Sequence, residues 1–226
     1  MQRKILITCE HGGNQIPSWL SSVVEIPAEI LNSHEAVDIG ALSVAKLLEE
    51  SVDGFFFSET SRLCIELNRS LYHAGVFSRY SKALSENFKK KLVQEVYLPY
   101  RNAVELQVKE WVQSGFQVLH LSIHSFTPIL NGVTRDADIG FLYDPARRYE
   151  RKFCREWRKK LVANKDLWRV RMNYPYRGTA DGLTTYLRKK MKGTYLGIEV
   201  EINQKLFKDS SPLDIKNRLF LESLFL

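Results

Sequence analysis

Two histidines of this chain close apolar, strand-like runs. His11 follows Ile5-Leu6-Ile7-Thr8-Cys9-Glu10, and His124 follows Val118-Leu119-His120-Leu121-Ser122-Ile123. An imidazole is a ready metal ligand, and the carboxyl ends of strands are where open α/β sheets build their sites. Alone, His11 would be read as a strand-end side chain bonded to backbone. A second histidine in the same setting points instead to a metal centre assembled from distant segments. Gly12 and Gly13, next in the chain, are read as giving the backbone positive φ and close approach to a ligand. His120 shares a strand face with His124 by the two-residue period and is read as a satisfied core histidine.

A hydrolytic zinc site uses three protein ligands and leaves a position for water, so a pair of histidines requires a third ligand, expected to be a carboxylate. Asp38 is favoured. Its competitors are Glu10, which would point to the opposite face if the strand persists, Glu35 and Asn14; His34 could be a ligand or the partner of Asp38. Asp38 could also serve only the positive end of a helix dipole. The run Tyr195-Leu196-Gly197-Ile198-Glu199-Val200-Glu201-Ile202-Asn203 puts two carboxylates on one face of an apolar strand. Burying a carboxylate without a partner is costly, so Glu199 or Glu201 is expected to be a general base acting on a metal-activated water. The competing picture is a sheet-edge strand with both glutamates in water. Guanidinium groups bind carboxylates bidentately, so Arg62 and Arg69 suit an acidic substrate, unless one of them pairs with Glu66 or Glu59 at the surface.

These side chains need a scaffold that gathers strand ends. With 226 residues, 44% of them hydrophobic, and no low-complexity tract, the sequence reads as one globular domain over 1–226. Strand-like runs at 4–9, 54–58, 62–67, 117–124, 139–143 and 195–202 alternate with helical patterns, the order of an α/β protein. Ser33 is a plausible N-cap for a helix from His34 to about Glu50, with Asp38 one turn in. A helical stretch from Ser81 to Ser114 is interrupted by Pro99, which should kink or split it. Another, Ala146 to Ala163, carries Phe153, Trp157 and Leu161 on one side and basic residues on the other. The segment from Met172 to Gly182 is dense in turn formers and aromatics, as site-lining loops often are.

Several classes of partner are not expected. The longest apolar stretches fall short of the about 20 residues that cross a bilayer, and the chain starts directly into a charged residue and a strand, so a cytoplasmic protein without a membrane partner is expected. Cys9, Cys64 and Cys154 form no Cys-x-x-Cys pair and read as small buried residues. The net charge is +7, and basic residues cluster at Arg147-Arg148, Arg151-Lys152, Arg155, Arg158-Lys159-Lys160 and Arg188-Lys189-Lys190. Without a recognition motif these are read as solvated helix faces and not as a nucleic-acid surface. Oligomeric state is not legible.

Taken together and in order, five motifs resemble the N-formylglutamate amidohydrolase family: His-Gly-Gly-Asn-x-Ile-Pro from His11, His-x-x-x-Asp-x-Gly-Ala from His34, Leu67-Asn68-Arg69, Ile123-His124-Ser125 and Glu201-Ile202-Asn203. That family is similar to the zinc carboxypeptidase and succinylglutamate desuccinylase group. The resemblance implies a three-layer α/β fold of the zinc-exopeptidase, phosphorylase/hydrolase-like kind, with a mixed, mostly parallel sheet flanked by helices. It implies a metal-dependent hydrolase cleaving the amide of a small N-acylated, carboxylate-bearing amino acid such as N-formylglutamate, with Zn2+ or another divalent metal as cofactor. Carried onto this sequence, His11 and His124 match the metal histidines, with Asp38 entering as third ligand. Glu201 matches the general base and Arg62 the arginine that polarises the scissile carbonyl. Asn68 and Arg69 match the pair that binds the substrate carboxylate; Ser125 and Tyr176 join the expected substrate contacts, Tyr176 on a flexible loop with Gly178 and Asp181. Where the carboxypeptidase group has a Glu three residues after the first histidine, this chain has Asn14. That departure favours the alternative of a non-catalytic anion-binding protein on the same fold; a carboxypeptidase-like peptidase is another.

Overall fold

Strands that are apolar on both faces belong to a sheet covered on both sides. The computed structural model describes residues 1–163, 168–191 and 193–207. Its strands are β1 (Arg3–Cys9), β2 (Gly54–Phe57), β3 (Gln117–Phe126), the short β4 (Ile129–Leu130) and β5 (Val133–Thr134), β6 (Ile139–Leu142), β7 (Val170–Met172) and β8 (Tyr195–Asn203). Six of them form one mixed sheet in the order β2-β1-β3-β8-β6-β7, and β4 pairs with β5 in a separate hairpin. The pairings β2-β1, β1-β3 and β3-β8 are parallel, whereas β6 runs antiparallel to β8. The carboxyl ends of β1, β3 and β8 therefore open on the same edge of the sheet.

The helices are α1 (Ala28–Leu31), α2 (Ala41–Leu47), α3 (Glu86–Leu92), α4 (Leu98–Gln113), α5 (Arg148–Ala163) and α6 (Leu183–Lys190). Alternation along the strands divides the interior. Ile7, Leu121, Ile198 and Val200 face α2 and α5, where Trp157 stacks on Phe141 at 4.4 Å between ring centroids. Leu6, Val118 and Tyr195 face the other way, against Val104 and Val108 of α4 and Leu183 and Leu187 of α6. A satellite cluster of Leu20, Ile65, Leu67, Leu92 and Tyr97 anchors the long connection between β2 and α4.

Three sequence expectations change. Residues 62–67 are apolar enough for a strand, yet they form turns outside the sheet, with the Cys64 N–H bonded to Ser61 O at 2.9 Å and the Leu63 N–H to the Ser61 hydroxyl at 3.2 Å. Their burial comes from the satellite cluster and not from strand pairing. The helix expected from His34 starts only at Ala41, because Gly40 sits at φ 80°, a left-handed conformation incompatible with a continuing helix. Ser33 closes a local turn after α1, and Asp38 lies before the helix, not one turn inside it. The stretch expected from Ser81 begins at Glu86 and passes through a π-helical segment, Val93–Tyr97, just before Pro99 at the start of α4. The wide turn there accommodates a residue that cannot donate a backbone hydrogen bond.

The basic clusters are only partly solvated. Arg188 is buried, donating through Nε to Glu150 at 3.0 Å and through Nη2 to Gly197 O at 2.6 Å, and half-buried Arg147 reaches the same Glu150 oxygen at 3.1 Å. Glu150 is fully buried and also accepts the Gly197 N–H, so α5, α6 and β8 meet on one carboxylate. Removing one partner of such a pair strands a buried charge. Arg188→Met should lower unfolding free energy by about 3–5 kcal/mol in urea titrations, while exposed Lys189→Met changes it by less than about 0.5 kcal/mol.

Candidate active site

β1 ends at Cys9, and from there side-chain alternation no longer rules. Glu10 and His11 both reach the cluster beyond the strand end, which corrects the expectation that Glu10 points away from it. Gly12 and Gly13 do not take positive φ. They are required by close packing on the segment after β2: a Cβ on Gly13 would lie 2.5 Å from Glu59 O. The Asp38 N–H donates to His11 O at 3.0 Å, and Asp38 O accepts the Ala41 N–H at 3.0 Å. Backbone hydrogen bonds thus dock the Asp38 segment on His11 before any side chain is placed.

The side chains then converge on one carboxylate oxygen. Asp38 Oδ2 lies 3.2 Å from His11 Nδ1 and 2.8 Å from His124 Nδ1, and the two rings stand 5.0 Å apart. One potential ligand atom from each of His11, Asp38 and His124 falls within 4.8 Å of the others, and all three residues are buried. The outer nitrogens are held as well. His11 Nε2 meets Glu66 Oε1; His124 Nε2 lies 2.8 Å from the Ser122 hydroxyl and 3.2 Å from Glu10 Oε2. Ser122 donates to Glu10 at 2.6 Å, and Tyr100 donates to the other Glu10 oxygen at 3.0 Å.

This donor set fits a divalent cation. Two imidazoles and a carboxylate suit zinc and its neighbours, and each imidazole has an outer acceptor that fixes its tautomer and ring direction. The cluster could therefore bind a metal ion through His11, Asp38 and His124. The charges are strongly coupled. Burial acts to raise the Asp38 pKa, but His11, His124 and Arg62 hold it well below the usual carboxylate range. Burial acts to lower that of His124, but Asp38 and Glu10 raise it well above the ordinary imidazole value.

Glu201 lies beside His124 in the β3-β8 register, on a strand flanked by β3 and β6. The sheet-edge picture for this strand does not hold. Glu201 is 5% exposed, and its Oε2 is buried with no hydrogen-bond partner among the described residues. Burial raises its pKa to about 7; His124 opposes the shift, and Asp38 and Glu199 add to it. Glu199 is different: half-buried, it accepts the Thr184 hydroxyl at 2.7 Å.

A cavity of about 180 Å³ collects nearly every expected site residue: His11, Asp38, Arg62, Asn68, Arg69, His124, Ser125, Tyr176 and Glu201, along with Glu199, Arg177, Ala180 and Asp181. Other candidates lie outside it. His34 is exposed, and Glu35 pairs with Arg79 at 2.8 Å. Asn14 donates to Leu31 O at 2.9 Å and to Asn32 at 3.1 Å, so the third corner of the cluster is the Asp38 carboxylate. Arg62 does pair with Glu66, but as a part-buried contact of the site and not at the open surface. The Ser125 hydroxyl is committed to Ile39 O at 2.8 Å. The loop carrying Tyr176 is pinned at its base: Asn173 Oδ1 accepts the Tyr143 and Gly178 N–H groups at 3.1 and 3.0 Å, and Gly178 O accepts Arg188. Its tip, Tyr176 and Arg177, is exposed.

Sequence reasoning missed the outer acceptors. Glu66 carried a signal, a lone carboxylate between Ile65 and Leu67, but was read only as a surface partner for arginine. Ser122 and Tyr100 carried none.

Fold and cluster define a class: an α/β protein with a candidate metal-binding centre where its parallel strands end. A family model described as N-formylglutamate amidohydrolase matches residues 3–208, and the chain belongs to that family. A gene product of Agrobacterium tumefaciens, known from its crystal structure, superposes with a TM-score of 0.80 and 26% identity over 98% of this chain and 90% of that one. The crystal structure of N-formylglutamate amidohydrolase from Ralstonia eutropha JMP134 shares the fold at a TM-score of 0.68 and 17% identity, covering 100% of this chain and 93% of that one. No curated protein matches the chain. No helix among the described residues is long and apolar enough to cross a membrane.

The raised Glu201 pKa has a consequence for stability. An acid whose pKa is higher folded than unfolded binds more protons in the folded state, so stability falls as pH rises from about 4.5, the ordinary value, to about 7. In chelator-treated protein, Glu201→Gln should therefore raise unfolding free energy at pH 8 by on the order of 3 kcal/mol and by under about 1 kcal/mol at pH 5. Urea titrations at the two pH values measure the difference; an equal effect at both would contradict it.

Proposed function

We propose that this chain is a single-domain, metal-dependent amidohydrolase that cleaves a small N-acylated amino acid bearing a carboxylate, with N-formylglutamate the first substrate to try. Membership of the family supports the reaction class. One observation carries the reading: an unpartnered, buried Glu201 carboxylate shares a small cavity with the His11-Asp38-His124 cluster. A cavity of about 180 Å³ suits a capped amino acid better than a polypeptide.

In this reading His11, His124 and Asp38 would hold a divalent cation, proposed to be Zn2+, which would supply Lewis acidity and lower the pKa of a water when bound. Glu201 would take a proton from the water that attacks the amide carbon and return it to the departing nitrogen; from N-formylglutamate the products would be formate and glutamate. In the metal-free chain burial holds the Glu201 pKa at about 7, well above an ordinary carboxylate, as suits a group that both takes and returns a proton. Arg69 and Asn68 hold the substrate carboxylate, contributing orientation more than bond-making. Asn68 is pre-set for this: its Oδ1 accepts the Leu183 N–H at 2.8 Å, and Arg69 is tied to Asp181 O. Tyr176 and Ser125 border the acyl group. Glu199, already bonded to Thr184, shapes the cavity wall.

Zinc-loaded protein should release formate from N-formylglutamate, and chelation should abolish the release until zinc is restored. Glu201→Gln should lower kcat by about 10²–10⁴-fold while leaving zinc content unchanged. Equal kcat in the two proteins would remove Glu201 as the base. Arg69→Met should act mainly through a higher KM, read from the same formate assay.

A further inference from the structure

Arg62 and Glu66 are four residues apart in the segment whose apolar run suggested a strand. Extended, they would stand about 13 Å apart. The turn that forms instead closes them on each other. Arg62 donates through Nε and Nη2 to Glu66 Oε2 at 2.8 and 2.5 Å, and through Nη1 to Asp38 Oδ1 at 3.2 Å. The other Glu66 oxygen accepts the Asn68 N–H at 2.9 Å and meets His11 Nε2. Asp38 offers its second oxygen to His11 Nδ1, which closes a ring: Arg62, Glu66, His11, Asp38 and back to Arg62. Glu66 is 6% exposed and Asp38 5%, so the carboxylate side of the ring is shielded from water, where its contacts are strongest, while Arg62 is half-buried.

We propose that Arg62 and Glu66 are positioning residues that fix His11 and Asp38 in the geometry that receives a divalent cation. The proposal rests on reading His11, Asp38 and His124 as the metal ligands. Glu66, as the acceptor at Nε2, keeps a proton on that nitrogen, so that Nδ1, which faces Asp38, is the atom that would give up its proton and offer its lone pair to a cation. Arg62 holds Glu66 and Asp38 at a fixed separation, because a planar fork can span two carboxylates where an ammonium cannot. This role differs from the one the family resemblance implies, polarisation of the scissile carbonyl. Three of the five guanidinium N–H groups are already engaged, and two carboxylates offset the charge that would act on a substrate.

Cobalt(II) titration of the chelator-stripped full chain, followed by visible absorption, tests the proposal without recourse to activity. Wild-type protein should take up one cobalt per chain. Arg62→Ala and Glu66→Gln should bind it about 10–100-fold more weakly and with a changed ligand-field spectrum. Arg62→Lys keeps the charge but not the fork and should lose most of the same affinity. Arg62→Lys and Glu66→Gln are close in size to the native residues and carry the test if Arg62→Ala does not fold. Variants with wild-type cobalt affinity and spectrum, but lower kcat, would overturn the positioning role and return Arg62 to the substrate. A wild-type chain that takes up no cobalt would overturn this proposal together with the metal reading; uptake unchanged by the substitutions overturns this proposal alone.

Discussion

The arrangement depends on one buried oxygen. Asp38 Oδ2 lies within hydrogen-bond reach of two imidazoles, one from the end of β1 and one from the end of β3, in surroundings where an unpaired charge would be costly. A carboxylate can stay ionised there only if its neighbours compensate it, and each neighbour is compensated in turn. Arg62 takes the second Asp38 oxygen, Glu66 and Glu10 take the outer imidazole nitrogens, and Ser122 and Tyr100 hold Glu10. The polar groups around the cluster thus form one connected network, with Glu201 as the exception: among the described residues it is the buried carboxylate with an orphaned oxygen. Leaving such an atom unpaired costs stability, and in the proposed mechanism it is the atom that would carry the proton.

The sheet explains how the network is affordable. One of its faces is almost wholly apolar, closed by α2 and α5. The other begins apolar under α4 and α6 and turns polar toward the strand ends, through His120, Ser122 and His124 on β3 and Glu199 and Glu201 on β8. His120, bonded to Thr8 at 2.8 Å and Tyr195 at 2.6 Å, marks the transition between core and site.

Much of this could be read from residues alone, for a physical reason. The strand period of two fixes which side chains share a face, so β1, β3, β6 and β8, the two histidines and the Glu199-Glu201 pair were all legible. The choice of Asp38 among several carboxylates agrees with where the cluster forms, although the helix invoked to place it starts three residues later, at Gly40-Ala41. What escaped were contacts made by turns. Residues 62–67 have a strand's composition, and only the tertiary fold shows that their turn brings Arg62 onto Glu66. Glu10 and Glu66 as imidazole partners depend on where β1 stops and where that turn begins, which a periodic pattern does not encode. The inward turn of Arg188 onto Glu150 is of the same kind: a basic run looks solvated until the opposing helix is known.

Zinc-edge anomalous diffraction from crystals of the zinc-loaded chain shows whether this cluster holds the cation. One strong peak is expected about 2.0–2.2 Å from His11 Nδ1, His124 Nδ1 and an Asp38 oxygen, with Glu201 close by and not ligating. No peak at this cluster, or zinc held by Glu66 and Glu10 in place of Asp38, would contradict it.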